Sequence, residues 1–369
     1  MDTGGRETWL MHVLRRIDRS RYAFDFLTHT DRACFYDSEI WSLGGRLLAC
    51  PGHTDLRKYM KNLRRILKES GPFDVVHSHV HHFSGIPLMV ASHAGVPVRI
   101  AHSHNDITFA EKNAGFKRRF YLRATEWLIH RYATAGLACS GLAAKSLYGR
   151  GWRRDPRWGI HYCGIDLESF ACPVDRNDVR REFGIRPEEL VLGHVGRFFR
   201  QKNHDFLIDI FAEVLRRRPE SRLVLVGEGP LRPAIEEKAA RLELTAKVIF
   251  AGVRPDVPRL MKGLMDSVVL PSHHEGLPLV LLEAQAAGLP CVYADNITGE
   301  VDVLPALMHR FPLERSAGDW ADAVLSAVAK PVLPADRDPG IIRTTGFNID
   351  VGVRMLEEIY NSSREGRPA

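Results

Sequence analysis

The chain has 369 residues, 45% of them hydrophobic and 26% charged, with a net charge of +6. That composition excludes a disordered or fibrous protein and fits a folded one of two domains. No apolar run reaches the roughly 18 residues of a membrane span and no signal peptide is recognisable, so any membrane association is expected to be peripheral.

The predicted elements alternate along the chain. Asp2-Thr-Gly-Gly5 reads as a turn, and Trp9, Leu10, Val13, Leu14 and Ile17 follow it at helical spacing. No strand is expected ahead of this turn, so the strand with which an α/β domain opens is expected to be missing. A strand is expected over Tyr22–Leu27, a basic amphipathic helix over Leu56–Leu67 and a strand over Phe73–His77. A helix over Ser84–His93, a strand over Val98–Ala101, a helix over Phe116–Tyr132 and a strand over Gly136–Cys139 complete the first half. Leu167–Arg180, with Pro173 and little apolar periodicity, reads as a linker into a helix at Val179–Phe183.

In the second half, strands are expected at Leu190–Val195, Arg222–Val226, Val248–Phe250, Ser267–Leu270 and Cys291–Tyr293. The helices between them are Asp205–Arg217, Leu231–Leu242, Val257–Gly263 and Pro278–Ala287. A loop at Pro331–Pro339 leads to a last helix, Ile349–Tyr360. Strands alternating with helices give an α/β fold of doubly wound parallel sheets.

Charge is unevenly placed. Residues 1–175 carry 25 Lys/Arg against 17 Asp/Glu, and the remainder 26 against 28. The basic groups gather at Arg57, Lys58, Lys61, Arg64, Arg65 and Lys68, and at Lys117, Arg118, Arg119 and Arg123. This suits an anionic membrane surface or an anionic ligand, or simply two solvated helix faces. No nucleic-acid-binding motif accompanies the charge, so nucleic acid is not expected as a partner. The six cysteines form no Cys-x-x-Cys pair, the usage of a reducing cytosol.

Four groups of residues could carry chemistry. Glu275-Gly-Leu-Pro-Leu-Val-Leu-Leu-Glu283 begins in the loop at the carboxyl end of the Ser267–Leu270 strand, where open α/β sheets bind ligands. Pro278 suits the first helical position, and Gly276, Leu277 and Leu279 offer backbone N–H groups to an anion. Glu283 lies within two turns and could reach a ribose diol. Gly196-Arg197-Phe-Phe-Arg-Gln-Lys202-Asn203 follows the Leu190–Val195 strand, and Arg197 and Lys202 can both meet a diphosphate. The glycines before the first helix allow close backbone approach to a phosphate.

The fourth group is the histidines. His77, His79 and His81 share one face if their strand continues, and His102 and His104 repeat the pattern. The histidines include no carboxylate within their His-x-His runs, so a lining of an active cleft is favoured over a bound ion, and no metal ligands are assigned. Asp336-Arg-Asp338 reads as a surface turn, and Arg254 could frame the base of a nucleotide.

These motifs resemble glycosyltransferase family 4, whose members share the two-domain GT-B fold, and are most similar to enzymes of bacterial capsular and exopolysaccharide synthesis. The resemblance rests on Asp2–Leu10, Asp74-Val-Val-His-Ser-His79, Arg99-Ile-Ala-His-Ser-His-Asn105, Gly196–Asn203, Val226-Gly-Glu-Gly229, Phe250-Ala-Gly-Val-Arg254 and Glu275–Glu283. It implies two Rossmann-like domains facing a cleft, over 1–170 and 171–345, with a helix in 346–369 crossing back to the first. It implies a retaining, metal-independent transfer from a nucleoside-diphosphate sugar, UDP by family habit, needing no other cofactor.

The implied roles are these. Glu275 contacts the donor sugar, Glu283 the ribose, and Arg197 and Lys202 the diphosphate, with Gly5 donating a backbone N–H to it. Glu228 and Arg254 belong to the donor site. His104 assists transfer, with His102 as a rival for the position. The expected acceptor is a saccharide, lipid-linked in a growing surface polysaccharide. The expected place is the cytoplasm, at most peripheral on the inner membrane. Pro278 departs from the family's Glu-Gly-Phe-Gly and cannot donate an N–H. A sugar-nucleotide epimerase, a metal hydrolase built on the histidines and a non-catalytic sugar-nucleotide binder are the competing readings.

Overall fold

A computed structural model describes residues 4–52, 54–108, 111 and 114–362, so Asp2 and Thr3 of the glycine turn lie outside the described residues. The chain divides into two compact units, one of residues up to Gly164 together with those from Ile349 onward, the other Ile165–Asn348. None of the described helices is long and apolar enough to cross a membrane.

The first unit opens with the helix Gly5–Arg16, whose Trp9, Met11, Val13 and Leu14 are buried. Its strands are β1 (Asp25–Thr28), β2 (Arg46–Ala49), β3 (Val75–Ser78), β4 (Val98–Ser103), β5 (Ala135–Ala138) and β6 (Trp158–Ile160). They form two parallel sheets, β1-β2 and β3-β4-β5-β6. Helices Leu56–Glu69, Gly85–His93, Phe116–Tyr132 and Gly141–Tyr148 cross between strands. Two of them carry side-chain caps that fix where they start. Asp55 accepts from the N–H groups of Arg57 and Lys58, and Ser140 from that of Ala143. The helix Ile349–Ser362 belongs to this unit: Arg16 pairs with Asp350 at 3.0 Å, and His161 Nε2 meets the Gly352 carbonyl at 2.9 Å.

The second unit holds one parallel sheet of β7 (Leu190–Val195), β8 (Ser221–Val226), β9 (Val248–Gly252), β10 (Ser267–Leu270), β11 (Cys291–Ala294) and β12 (Met308–Phe311). The order across it is β12-β11-β10-β7-β8-β9. Helices cover both faces, so its inner strands read as unbroken apolar runs: Val191, Leu192, Leu223–Leu225, Val268–Leu270 and Cys291–Ala294 are fully buried. Each such side chain contributes about 1.5–3 kcal/mol by leaving water.

The structure departs from the sequence reading in places. Leu167–Arg180 is no free linker. Phe170 and Val179 are buried, Lys262 donates to the carbonyls of Phe170 and Cys172, and buried Arg180 donates to Asp266 at 2.7 Å and to the Pro187 and Glu189 carbonyls. The expected Tyr22–Leu27 strand starts three residues later, at Asp25. Strands β2, β6 and β12 and helices Asp37–Ser42, Gly141–Tyr148 and Ala317–Ala329 were not foreseen. The last of these does carry a readable signal, a capping box between Ser316 and Asp319. Pro278 is the residue before its helix, which runs Leu279–Ala286, rather than the first residue in it.

Candidate active site

In the second unit the chain builds β7, β8 and β9 to one side, then crosses back to place β10 on the other side of β7. The loops leaving β7 and β10 therefore flank the point where strand order reverses, the usual ligand crevice of an open α/β sheet. They are Gly196–Asn203 and Pro271–Pro278, and hydrogen bonds join them. His273 N–H donates to the Gln201 carbonyl at 2.8 Å, Gln201 Nε2 donates to the His274 carbonyl at 2.9 Å, and Asn203 Nδ2 to that of Pro271 at 3.1 Å. Asn203 adopts the left-handed conformation that turns the chain into the helix His204–Arg217.

This junction brings Lys202 to Glu275. Lys202 Nζ lies 2.7 Å from Glu275 Oε1, and Gln201 Nε2 donates to Oε2 at 3.1 Å. The Glu275 side chain is 7% exposed and that of Lys202 18%, so the pair is shielded from bulk water and holds its geometry. The Lys202 stem folds over Gly196, where an added Cβ would meet it at 3.2 Å.

The loop after β8 packs onto the same place. A Cβ on Gly227, at φ +136°, would sit 2.2 Å from the Gly196 carbonyl oxygen, and one on Gly229, at φ +158°, 2.7 Å from that of Phe198. Only glycine lets these backbones approach so closely.

Below the loops His194, fully buried, donates Nδ1–H to the Val269 carbonyl at 2.8 Å, and burial pushes its pKa down to about 4. It supports Gly196 from beneath as a neutral ring, a role without a sequence signal. Gln201, inside the Gly196–Asn203 loop, likewise joins the site through contacts that the sequence does not signal.

Glu283, on the helix Leu279–Ala286, is half-buried and near Lys202. Burial pushes its carboxyl up to about 7, with Lys202 pulling the other way. The sign of the consequence follows. The native state keeps a proton that the unfolded chain loses near its ordinary 4.5, so this group's contribution to stability is whole below about 4.5 and is lost as pH rises through about 7. Glu283→Gln is expected to raise thermal stability at pH 8 by on the order of 2 kcal/mol and to leave it unchanged at pH 4.5. Thermal unfolding of both proteins at the two pH values checks this.

The other expected donor-site residues are spread around this junction. Gly276 and Leu277 are buried at the start of the Leu279–Ala286 helix, whose first N–H groups have no partner within the helix. Arg197 is exposed, its guanidinium over the Phe199 ring at 5.0 Å. Glu228 is exposed and paired with Arg232. Arg254 is held by Asp256 at 2.7 and 2.8 Å and by Glu182 at 3.3 Å.

In the first unit Gly5 is the first residue of its helix, with open space where a side chain would stand. His77 and His79 come together with His102 and His104, but His81 does not join them. The strand stops at Ser78, and His81, at φ +52°, turns away so that its Nε2 meets the Asn105 carbonyl at 3.1 Å. His104 lies between His79 (Nδ1 to Nε2, 2.8 Å) and the Cys163 sulfur (3.4 Å), neutral because burial and the neighbouring His102 and Arg6 oppose a charge.

Both units match family models: residues 4–163 a glycosyl transferase 4-like domain, and residues 175–338 the glycosyl transferases group 1. EpsF of Bacillus subtilis (strain 168), assigned as a glycosyltransferase, is 38% identical over 99% of this chain and 95% of its own. The chain belongs to the family 4 glycosyltransferases.

The Escherichia coli UDP-Gal:alpha-D-GlcNAc-diphosphoundecaprenol alpha-1,3-galactosyltransferase is 29% identical over 82% of this chain and 79% of its own. The solved structure of Anabaena HepE with UDP and glucose superposes with a TM-score of 0.78 over 98% of both chains at 19% identity. That likeness gives this glycosyltransferase its fold class, GT-B, with parallel α/β sheets in two domains.

Proposed function

We propose that this glycosyltransferase moves a hexose from a UDP-sugar, with retention of anomeric configuration and no metal in the transfer, to a growing lipid-linked bacterial surface polysaccharide such as an exopolysaccharide. The observation that carries the reading is the Gln201–Lys202–Glu275 junction at the reversal of strand order: a cation and a carboxylate held rigid where a ligand sits. Lys202 and Arg197 supply the charge that stabilises the departing nucleoside diphosphate, and such preorganised groups are worth most where charge develops. The N–H groups of Gly276, Leu277 and Leu279 complete the second unit's share of the diphosphate site. Pro278 donates none. Glu275 accepts from hydroxyls of the donor sugar, Glu283 from the ribose. Glu228 and Arg254 border the nucleoside, Arg254 exchanging its present carboxylate partners for the base. His104, a neutral imidazole, hydrogen-bonds the sugar as it is transferred.

UDP as donor nucleotide is supported by HepE, solved with UDP and with UDP-glucose, and by the UDP-Gal of the E. coli enzyme. The diphosphoundecaprenol in that enzyme's name supports a lipid-linked acceptor. The surface of the first unit suits an anionic inner-membrane face. The helix Phe116–Tyr132 exposes Phe116, Phe120 and Trp127 among Lys117, Arg119 and Arg123, and the helix Leu56–Glu69 adds a recess where Arg57, Lys61, Arg64, Arg65 and Lys68 outnumber the one acid, Glu69, with Met60 beside them.

The test is turnover of UDP-, GDP- and ADP-sugars with a polyprenyl-diphosphate saccharide in anionic vesicles, with a chelator present. Release of UDP with a product of unchanged anomeric configuration, undiminished by the chelator, is expected. An inverted product, or a requirement for added metal, would overturn the proposed chemistry.

A further inference from the structure

The helix Leu56–Glu69 has an outer face that folding does not explain. Its inner face is fixed by Tyr59 and Leu63, buried in one apolar core with Ile86 and Val90, and by Met60, Ile66 and Leu67 packed against them. The outer face carries Arg57, Lys61, Arg64 and Lys68, three or four residues apart, with Lys58 and Arg65 beside them, and all six are exposed. None of the six forms an ion pair among the described residues. Other helices of the chain do pair their cations: Arg180 with Asp266, Arg217 with Glu213 and Asp322, Arg232 with Glu236, and Lys238 with Asp209.

Like charges three and four residues apart repel along a helix, so this row weakens the helix that carries it. The row lines a recess in which Arg57, Lys61, Arg64, Arg65 and Lys68 stand against one acid, Glu69. We propose that this recess binds the diphosphate group of a polyprenyl-linked acceptor. The choice of ligand rests on the lipid-linked acceptor proposed above.

The chemistry of the row selects a compact, multiply charged anion. Side chains on successive turns start about 5–6 Å apart, so several can converge on one group. The arginines offer planar forks that take two phosphate oxygens at once, and Lys61 and Lys68 add mobile point charges. A diphosphate can use several of these cations together, whereas the phosphodiester of an ordinary headgroup brings a single charge. Met60 also lines the recess and offers its thioether to the first carbons of a prenyl chain. The helix Phe116–Tyr132, whose Leu128 packs on the same core, exposes Phe116, Phe120 and Trp127. Such side chains suit a bilayer interface. The unit thus offers apolar contact to the lipid and charge to the diphosphate.

The probe is geranyl diphosphate below its micellar concentration, titrated calorimetrically into the full-length protein saturated with UDP, so that the donor site is filled. One molecule per chain is expected to bind, with an affinity that falls as salt is added. Geraniol, which lacks the anion, is expected not to bind. Lys61→Ala combined with Arg64→Ala is expected to weaken binding at least tenfold and to leave UDP affinity unchanged. Both side chains are exposed, so the variant is expected to fold. Retention on phosphatidylglycerol vesicles is the second arm. Failure of geranyl diphosphate to bind overturns the proposal, and if the double substitution then abolishes vesicle retention, the recess is a headgroup site. Binding that survives the double substitution also overturns it. The readout is binding, so it is separate from sugar transfer: failure here leaves transfer to a lipid-linked acceptor standing, and failure of transfer leaves the anion site standing.

Discussion

Glu275→Gln is expected to lower the rate of sugar transfer by ~10³ while leaving the nucleoside diphosphate bound with nearly unchanged affinity. Gln keeps the shape of the side chain and its neighbours in the β10 loop. It removes the charge that Lys202 Nζ meets at 2.7 Å, and half the acceptor capacity offered to sugar hydroxyls. The carboxylate is only 7% exposed, so water cannot replace it. The diphosphate contacts proposed for Arg197, Lys202 and the Leu279–Ala286 helix start remain, which is why affinity for UDP is expected to survive. Steady-state kinetics beside calorimetric titration with UDP separate the two quantities. Near-normal turnover would remove Glu275 from the reaction.

Lys202→Met is expected to weaken UDP binding about 30–100-fold, near 2–3 kcal/mol. Met preserves the stem that lies over Gly196 and deletes only the ammonium. Two effects add. The diphosphate loses a cation, and Glu275 loses its ion-pair partner in a place water hardly reaches. A second signature distinguishes this from a packing defect. Lys202 holds the Glu283 carboxyl down against burial, so its removal raises that group above its present value of about 7. UDP affinity, which on this account needs Glu283 ionised, should fall roughly tenfold per pH unit below about 7 in the parent protein, and the fall should begin at higher pH in the variant. Calorimetric titration from pH 6 to 9 checks both. Unchanged affinity would place the diphosphate elsewhere.

Much of this architecture was legible because local signals agreed with it. Leu190–Val195, Ser267–Leu270, Val257–Gly263 and Phe116–Tyr132 have the bounds that apolar runs and periodicity indicate. The Glu275–Glu283 segment announced a loop and a helix at a strand's carboxyl end. What was not legible depends on distant partners. Strands β6 and β12, of three and four residues, are too short to show a period. The stretch taken for a linker is ordered by Arg180, whose carboxylate partner Asp266 lies 86 residues away. The raised pKa of Glu283 is a property of enclosure that no spacing encodes. The histidines were visible singly, but their grouping comes from the parallel register that sets His77 opposite Ile100 and His102 opposite Leu137, and from Cys163 arriving beyond β6.

The central claim is that the donor nucleotide sits on the loops that leave β7 and β10. Backbone hydrogen exchange of the full chain with and without saturating UDP tests it most directly. The account expects slowed exchange in the second unit at residues 196–203 and 275–283, with the neighbouring 227–229 and 252–254, lost on Lys202→Met. Tight UDP binding that leaves both segments unprotected would contradict it.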